Sequence, residues 1–264
     1  MYVDTHCHLT PSFYKDKVFE VAKRAYDENV KLIITIGTNL IDSVECIEIS
    51  KKLNYVYAAI GIHPHDTKNI NGFDDILKLM KLAKDNKKVV AIGEIGLDFF
   101  KNYSPQDVQE RYFRMQINAA RELNLPIIIH DRDAHDEVYK ILKEEKAYEV
   151  GGVFHCYSGD YDFAKKIFDL NFLVSFPGTI TFKKNKEKAE SLIKKIPLDK
   201  ILTETDAPFL TPEPFRGKQN EPMHVKYVAK KIAEIKKLDE IEVCKKIIEN
   251  VKSLFGFEGK LNID

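Results

Sequence analysis

The chain has 264 residues, 44% of them hydrophobic, and its 41 Lys and Arg residues balance 41 Asp and Glu residues. This length is sufficient for a full-sized core, and a net charge of zero argues against a protein that coats nucleic acid through bulk charge. The four cysteines form no CxxC pair and no apolar run reaches transmembrane length, which predicts reduced thiols in a cytoplasmic protein without a membrane partner.

Eight short apolar runs alternate with longer amphipathic segments along the chain. This alternation is typical of βα units around a parallel sheet, whose strands are nearly continuously apolar because helices cover both faces. Eight such units predict a fold of the α/β class, namely a TIM-type (β/α)8 barrel. We expect this barrel to form a single domain over residues 1–264. A doubly wound open sheet is the alternative. The predicted strands are residues 2–6, 31–37, 56–63, 88–96, 126–130, 151–156, 172–176 and 200–206.

The first predicted strand runs into the letters HCH. Because side chains alternate along a strand, His6 and His8 point to one face and Cys7 points to the other. Two imidazoles therefore converge on one spot, although an HxH pair alone is weak evidence for a metal site. Cys7 and Cys156, which both adjoin histidines, are expected to serve packing.

The segment before the fifth strand carries the signals of a helix. Ser104 is predicted to cap this helix, and Pro105 suits its first position. The longest irregular stretch, residues 207–222, follows the eighth strand, and we expect two helical segments after it. In the helix before the fifth strand, apolar residues recur at steps of three and four, at Val108, Tyr112, Met115, Ala119 and Leu123.

Ionisable side chains recur at the ends of the later predicted strands. The carboxyl ends of barrel strands form one rim, so we expect these side chains to converge with those of His6 and His8. They are His63 in strand three, Glu94 in strand four, His130 in strand five, His155 in strand six and Asp206 in strand eight.

The residue types in this set indicate a site for two metal ions. Even without His63, the four histidines and two carboxylates exceed what one tetrahedral ion needs and suit two divalent ions that share a carboxylate. Glu94 lies between the two groups in strand order and is the expected bridge. Two such ions lower the pKa of a bound water to about 7, which predicts a hydrolase. The alternative, a polar cluster without metal, would pack unpaired imidazoles at a high cost.

Three more residues are expected beside the ligands. His63 is predicted either to contact a phosphate or leaving group or to hydrogen-bond a ligand, and His65 stands two positions further on. Glu204 has the same strand parity as Asp206, so it should point inward and support the ligands rather than bind metal itself.

Basic residues near the predicted rim are candidates for phosphate binding. Arg132 follows His130, and Arg216 and Lys218 lie in the loop of residues 207–222. Basic residues usually form solvated surface charge, but phosphate binding is an equally good interpretation at a barrel mouth. The Lys-rich tract at 183–188 is predicted to be a solvated helix start, with contact to nucleic acid as the lesser alternative.

Seven motifs occur in order along essentially the whole chain: DTHCHL (4–9), GIHPH (61–65), GEIGLD (93–98), IHDR (129–132), HCYSG (155–159), ETDAPFL (204–210) and PFRGKQNEP (214–222). Together they resemble the TatD family of metal-dependent deoxyribonucleases, within the amidohydrolase superfamily of barrels. The resemblance implies DNA as the substrate, with single strands trimmed from the 3′ end. It also implies two metals, one held by His6, His8, Glu94 and Asp206 and the other by Glu94, His130 and His155.

We therefore expect a nuclease that hydrolyses phosphodiester bonds at single-stranded or frayed DNA ends, with two divalent ions drawn from Zn, Mn, Co or Mg. Asp206, Glu94 and His63 are the predicted catalytic residues, and Asp206 accepts the proton of the attacking water. Arg132, Arg216, His63 and His65 are the predicted substrate-binding residues, and no protein partner is evident. The alternatives are a hydrolase of another ester or amide, such as a cyclic amide or an aminoacyl ester, and a catalytically silent barrel that binds nucleic acid.

Overall fold

Residues 1–257 are described by the computed structural model. Eight parallel strands alternate with helices in the order β1 to β8, as predicted for a TIM-type (β/α)8 barrel. The strands are β1 (Tyr2–Cys7), β2 (Val30–Ile36), β3 (Val56–Ile60), β4 (Val89–Asp98), β5 (Ile127–Arg132), β6 (Gly152–Phe154), β7 (Phe172–Phe176) and β8 (Ile201–Thr203). The helices are α1 (Pro11–Tyr14), α2 (Val18–Asp27), α3 (Leu40–Lys52), α4 (Phe73–Asp85), α5 (Gln106–Leu123), α6 (His135–Glu144), α7 (Tyr161–Phe168), α8 (Lys186–Lys195), α9 (Val225–Lys236) and α10 (Glu240–Phe255).

All eight predicted strands are present, but three of them end two or three residues earlier than the sequence suggested. Strands β3, β6 and β8 end at Ile60, Phe154 and Thr203, so His63, His155 and Asp206 lie in the segments that follow. Asp206 has a φ of 53°, a left-handed conformation that interrupts an extended chain. Glu204 and Asp206 therefore lie beyond the regular strand, and the supporting role predicted for Glu204 stays a prediction.

The described chain divides into two compact units. The first unit contains Met1–Thr35 and the chain from Val174, and the second contains Ile36–Leu173. The prediction of a single domain over residues 1–264 stays a prediction. Among residues 1–257, no helix combines the length and apolar character needed to cross a membrane.

In the first unit, the segment after β8 lies along the end of β1. The Asp206 N–H donates to the His6 carbonyl oxygen at 2.9 Å, and the His8 N–H donates to the Ala207 carbonyl oxygen at 2.7 Å. Cys7 and Ala207 form a parallel bridge between these two hydrogen bonds. This pairing brings the residues around Asp206 beside the HCH segment, although they are about 200 positions apart in the chain.

In the second unit, β4 and β5 approach each other closely where the candidate ligands lie. Gly96 pairs with His130 in the parallel register. It has a φ of 142°, and a Cβ atom there would lie 2.0 Å from the His130 carbonyl oxygen. Only glycine fits this position, so Gly96 allows β4 to carry Glu94 next to the strand that carries His130.

The predicted apolar face of helix α5 is confirmed, but the prediction that Ser104 caps this helix is wrong. Its N-cap is Pro105, and the Ser104 hydroxyl instead donates to the His65 carbonyl oxygen at 3.0 Å and accepts from the Lys68 N–H at 3.2 Å. Ser104 therefore secures the loop after β3 rather than the helix. The apolar face packs against Ile62, Ile76 and Met80 through Tyr112 and Ala119, with Val108, Met115 and Leu123 at its margin.

The buried side chain of Gln116 joins α5 to the segment after β3. Its Oε1 accepts from the Ile62 N–H at 2.7 Å, and its Nε2 donates to the Ile62 carbonyl oxygen at 3.1 Å.

We expect Gln116→Leu to lower the free energy of unfolding by about 2–4 kcal/mol, because a buried backbone N–H and C=O lose these partners. Urea unfolding should be compared with that of Gln106→Leu, the same change at an exposed position of α5. Equal losses in the two variants would contradict this assignment.

Candidate metal centre

His6, His8 and Asp206 form a compact ligand cluster in the first unit. Asp206 Oδ1 lies 3.7 Å from His6 Nε2 and 3.5 Å from His8 Nε2. One nitrogen or oxygen from each of the three residues lies within 4.8 Å of the others. The two histidines are buried, while 14% of the Asp206 side chain is exposed. The family resemblance assigned these three residues to one metal together with Glu94, and the three have donors that fit a divalent cation.

Asp4 fixes the backbone on both sides of this cluster. Its fully buried carboxylate accepts from the His6 N–H at 3.3 Å, from the Thr205 N–H at 2.9 Å and from the Thr205 hydroxyl at 2.6 Å. Burial raises the pKa of Asp4 well above its usual range, and these hydrogen bonds oppose that rise. Sequence reasoning missed Asp4, although it begins the DTHCHL motif and shares the strand parity of His6.

Glu94 is the centre of a second cluster, in the second unit. Its Oε1 lies 2.8 Å from His130 Nδ1, 3.0 Å from His155 Nε2 and 3.4 Å from His63 Nε2. The Glu94 side chain is only 3% exposed. A single carboxylate oxygen therefore faces three imidazole nitrogens, each of which can bind either a proton or a cation.

Asp98 holds the ring of His130 from the opposite side. Its Oδ2 lies 3.1 Å from His130 Nε2 and 2.8 Å from His65 Nε2, and its Oδ1 accepts from the Lys101 N–H at 2.7 Å. Burial lowers the pKa of His130, but the two flanking carboxylates raise it more. Burial raises the pKa of Asp98, but its hydrogen bonds hold it below its usual range. A carboxylate on the far nitrogen of a ligand histidine is a common support of metal sites.

Sequence reasoning named Asp98 only as part of the GEIGLD motif and gave it no role. Asp98 lies on β4 four residues after Glu94, so its place at the end of the same predicted strand could have identified it. His65, predicted to bind substrate, is held through its Nε2 by this buried carboxylate.

The imidazole of His63 lies in contact with the predicted ligands. Its Nε2 lies 3.3 Å from His130 Nδ1, and its Nδ1 accepts from the His65 N–H at 3.1 Å. Burial lowers the pKa of His63 to about 4, so it is neutral at physiological pH. His63, Glu94 and His130 form the trio in the second unit whose ligand atoms all lie within 4.8 Å of one another. His63 is therefore a candidate ligand as well as a candidate contact for substrate.

Both clusters have the donor chemistry of a divalent metal site. Metal bonds to imidazole nitrogen and carboxylate oxygen are about 2.0–2.2 Å long, so donors of one ion lie within the separations found here. Mixed imidazole and carboxylate donors suit Zn, Mn or Co, and Mg less readily. The clusters therefore fit divalent metal ions of this group.

Glu204 directly follows β8 and acts as a buried hydrogen-bond acceptor. It is fully buried, and the Ser175 hydroxyl donates a hydrogen bond to its Oε2. This bond links the ends of β7 and β8, next to Thr205, whose hydroxyl and N–H both bond Asp4.

The two predicted phosphate-binding arginines each lie on a phenylalanine. The Arg132 guanidinium carbon is 4.1 Å from the centre of the Phe100 ring, and that of Arg216 is 3.8 Å from the centre of the Phe182 ring. Both arginines are exposed, and neither forms an ion pair within residues 1–257. Each guanidinium is thus held flat with its N–H groups accessible to a ligand.

Comparison with known proteins identifies close relatives. A family model described as "TatD related DNase" matches residues 3–256. The chain is 46% identical over 255 residues to the uncharacterized metal-dependent hydrolase YabD of Bacillus subtilis, covering 97% of this chain and 99% of that protein. It is 37% identical over 261 residues to YcfH of Escherichia coli K12, another uncharacterized metal-dependent hydrolase, covering 97% and 96% of the two chains. The crystal structure of YJJV, a TatD homologue from E. coli K12, superposes with a TM-score of 0.89 at 28% identity, covering 97% and 98%.

The support that Asp98 gives to His130 can be tested on metal binding alone. We expect Asp98→Asn to weaken divalent metal affinity about 10- to 100-fold, because His130 loses the charge that orients it. Zn²⁺ and Mn²⁺ affinities would be measured by competition with a chelator, with circular dichroism as the check on folding. Asp74→Asn, the same change at an exposed position of α4, is the control. Unchanged affinity in folded Asp98→Asn would show that this carboxylate does not support a ligand.

Proposed function

The chain belongs to the TatD family of metal-dependent hydrolases, and from this premise we propose that it hydrolyses phosphodiester bonds in DNA. The observation that carries the proposal is the Glu94 oxygen within 3.4 Å of three imidazole nitrogens. The matching family model, described as that of a DNase, supports DNA as the substrate. We also propose that the enzyme acts in the cytoplasm.

Two divalent ions are proposed as cofactors. His6, His8 and Asp206 hold one ion, and Glu94, His130 and His155 hold the other. The bridging role that the sequence assigns to Glu94 stays a prediction. When bound, the ions supply Lewis-acid stabilisation of charge on the phosphate oxygens and lower the pKa of the attacking water.

The remaining chemistry falls to the side chains. Asp206 accepts the proton of the attacking water, and the 14% of its side chain that is exposed gives substrate access to this carboxylate. Arg132 and Arg216 bind phosphate oxygens through paired N–H groups, helped by the rings that keep each guanidinium flat. His63, neutral and beside Glu94, contacts the phosphate or the leaving group.

The burial of the ligands favours action at DNA ends. His6, His8, Glu94 and His155 are each at most 8% exposed, so a phosphate must leave the surface of a duplex to reach them. A base-paired internal nucleotide can do this only by unstacking, whereas a single strand or a frayed end needs no such step. This favours single strands over duplex DNA. We propose in addition that the enzyme is an exonuclease, and family membership supports release from the 3′ end.

A hydrolase of another ester or amide remains the second candidate, because the relatives are named only as metal-dependent hydrolases. Assays would compare a single-stranded oligonucleotide with an aminoacyl ester and a small cyclic amide, with Zn, Mn, Co and Mg supplied in turn. Turnover of DNA alone supports the nuclease, and turnover of only one of the others supports this candidate. A protein that binds DNA without any turnover would be the silent binding barrel.

Loss of the central carboxylate should abolish catalysis. We expect Glu94→Gln to lower the rate of DNA hydrolysis at least about a thousandfold, because the amide keeps the size of the side chain but removes the negative charge that the cations need. Turnover and bound metal would be measured together, with Glu122→Gln at an exposed position of α5 as the control. A Glu94→Gln variant with near-normal turnover and its full metal content would overturn the role of Glu94.

The requirement for a DNA end can be tested with matched substrates. We expect a linear single strand to lose a 3′ label first and a covalently closed circle of the same sequence to stay intact, because the buried ligands admit a chain end more easily than an internal phosphate. Labelled fragments would be followed by denaturing electrophoresis. Equal rates on the circle would rule out exonuclease action, and early loss of a 5′ label would reverse its direction.

A further inference from the structure

Two aromatic rings stand beside the candidate ligand His8 in the first unit. The ring of Phe13, in α1, lies 5.8 Å from the His8 ring, and the ring of Phe209, in the loop after β8, lies 6.1 Å from it. The two phenylalanine rings are 5.5 Å apart and nearly perpendicular, at 82°. Phe209 is 48% exposed and Phe13 is partly exposed. An aromatic surface therefore borders a metal ligand and faces solvent.

Two neighbouring residues, Gln219 and Asn220, hydrogen-bond the backbones of the two phenylalanines. The Asn220 side chain is fully buried and donates to the carbonyl oxygens of Phe209 at 2.6 Å and of Thr205 at 3.0 Å. Gln219 Nε2 donates to the Phe13 carbonyl oxygen at 3.1 Å. Asn220 thus ties Phe209 to the residue next to Asp206, and the aromatic pair keeps a fixed position relative to the ligand cluster.

Exposure alone does not distinguish Phe209, since Phe73 and Phe100 are more exposed; its distinguishing feature is a backbone fixed by hydrogen bonds beside a ligand cluster. Burying a phenylalanine side chain stabilises a protein by about 1.5–3 kcal/mol, and a ring that is half exposed gives up much of this. A surface aromatic on a rigid frame is typical of a binding contact, since its affinity is not reduced by ordering the side chain.

We propose that Phe13 and Phe209 form a stacking face for an unpaired nucleobase of the nucleotide whose phosphate is cleaved. This inference rests on the proposed function, because only a polynucleotide substrate carries a base within one nucleotide of the reacting phosphate. Phenyl rings have no hydrogen-bond donors or acceptors, so the face accepts every base through its π surface and reads no sequence. The face would also disfavour duplex DNA, in which both surfaces of each base are already stacked.

The test separates the base from the phosphodiester. We expect Phe209→Leu, which keeps an apolar side chain without the aromatic face, to lower kcat/KM on a single-stranded oligonucleotide about 5- to 150-fold, the range that follows from the stacking energy of one base. On the same oligonucleotide ending in an abasic nucleotide, Phe209→Leu and the unaltered protein should be equal. Phe209→Tyr should restore the rate on the base-bearing strand. Phe19→Leu, at an exposed phenylalanine of α2, is the matched control.

Equal losses on the base-bearing and abasic strands would assign Phe209 a structural role and overturn the proposal. The absence of a loss on either strand would also overturn it.

A second measurement does not depend on turnover. Protein carrying Glu94→Gln is mixed with an oligonucleotide ending in the fluorescent base 2-aminopurine, and stacking is read as quenching of its emission. We expect the quenching to disappear when Phe209→Leu is added. Persistent quenching in that double variant refutes the stacking face while the nuclease stands, whereas absence of both DNA cleavage and DNA binding in the unaltered protein refutes the proposed function itself.

Discussion

The buried carboxylate of Asp4 is the contact on which the first ligand cluster depends. A carboxylate in the interior is costly unless hydrogen bonds satisfy it, and three donors from His6 and Thr205 do so here. These donors belong to two segments almost 200 positions apart in the chain, so folding brings both to one side chain. The left-handed conformation of Asp206 follows directly after Thr205 and directs the chain into its pairing with β1. Loss of Asp4 would therefore free the backbone on both sides of the cluster at once.

In the second unit, a buried carboxylate also supports the candidate ligands, but with a different geometry. Asp98 contacts the imidazoles of His65 and His130 directly rather than through the backbone, and it lies four residues after Glu94 on the same strand. In each unit, one strand carries both a ligand and a supporting carboxylate: Asp4 and His6 lie on β1, and Glu94 and Asp98 lie on β4. Asp98, however, supports His130 of the neighbouring strand β5. Strands thus position His6, Glu94 and His130, whereas His8, His155 and Asp206 lie in the segments that follow strands.

Sequence patterns predicted the parts of this protein that depend on local periodicity. The apolar runs located all eight strands, and the three- and four-residue spacing identified the buried face of α5. The patterns failed where a distant partner decides the outcome. Ser104 has the sequence signature of a helix cap, but its hydroxyl bonds the loop 39 positions earlier in the chain. The end of β8 was also placed too late, because the left-handed conformation of Asp206, whose N–H bonds the distant His6 carbonyl oxygen, interrupts the extended chain.

The candidate site was predictable to a similar extent. His6, His8, Glu94, His130, His155 and Asp206 were recognisable because ligand types at strand ends have few structural explanations. Asp4 and Asp98 resemble ordinary acidic residues in the sequence, and only their burial and partners distinguish them.

The exposed aromatic rings and guanidinium groups differ from the buried ligands, because they are open to solvent but still held in place. Phe209, Arg132 and Arg216 are exposed, yet hydrogen bonds or an underlying ring hold each of them. A substrate that meets such groups loses little free energy to their ordering, so weak individual contacts can still give useful affinity.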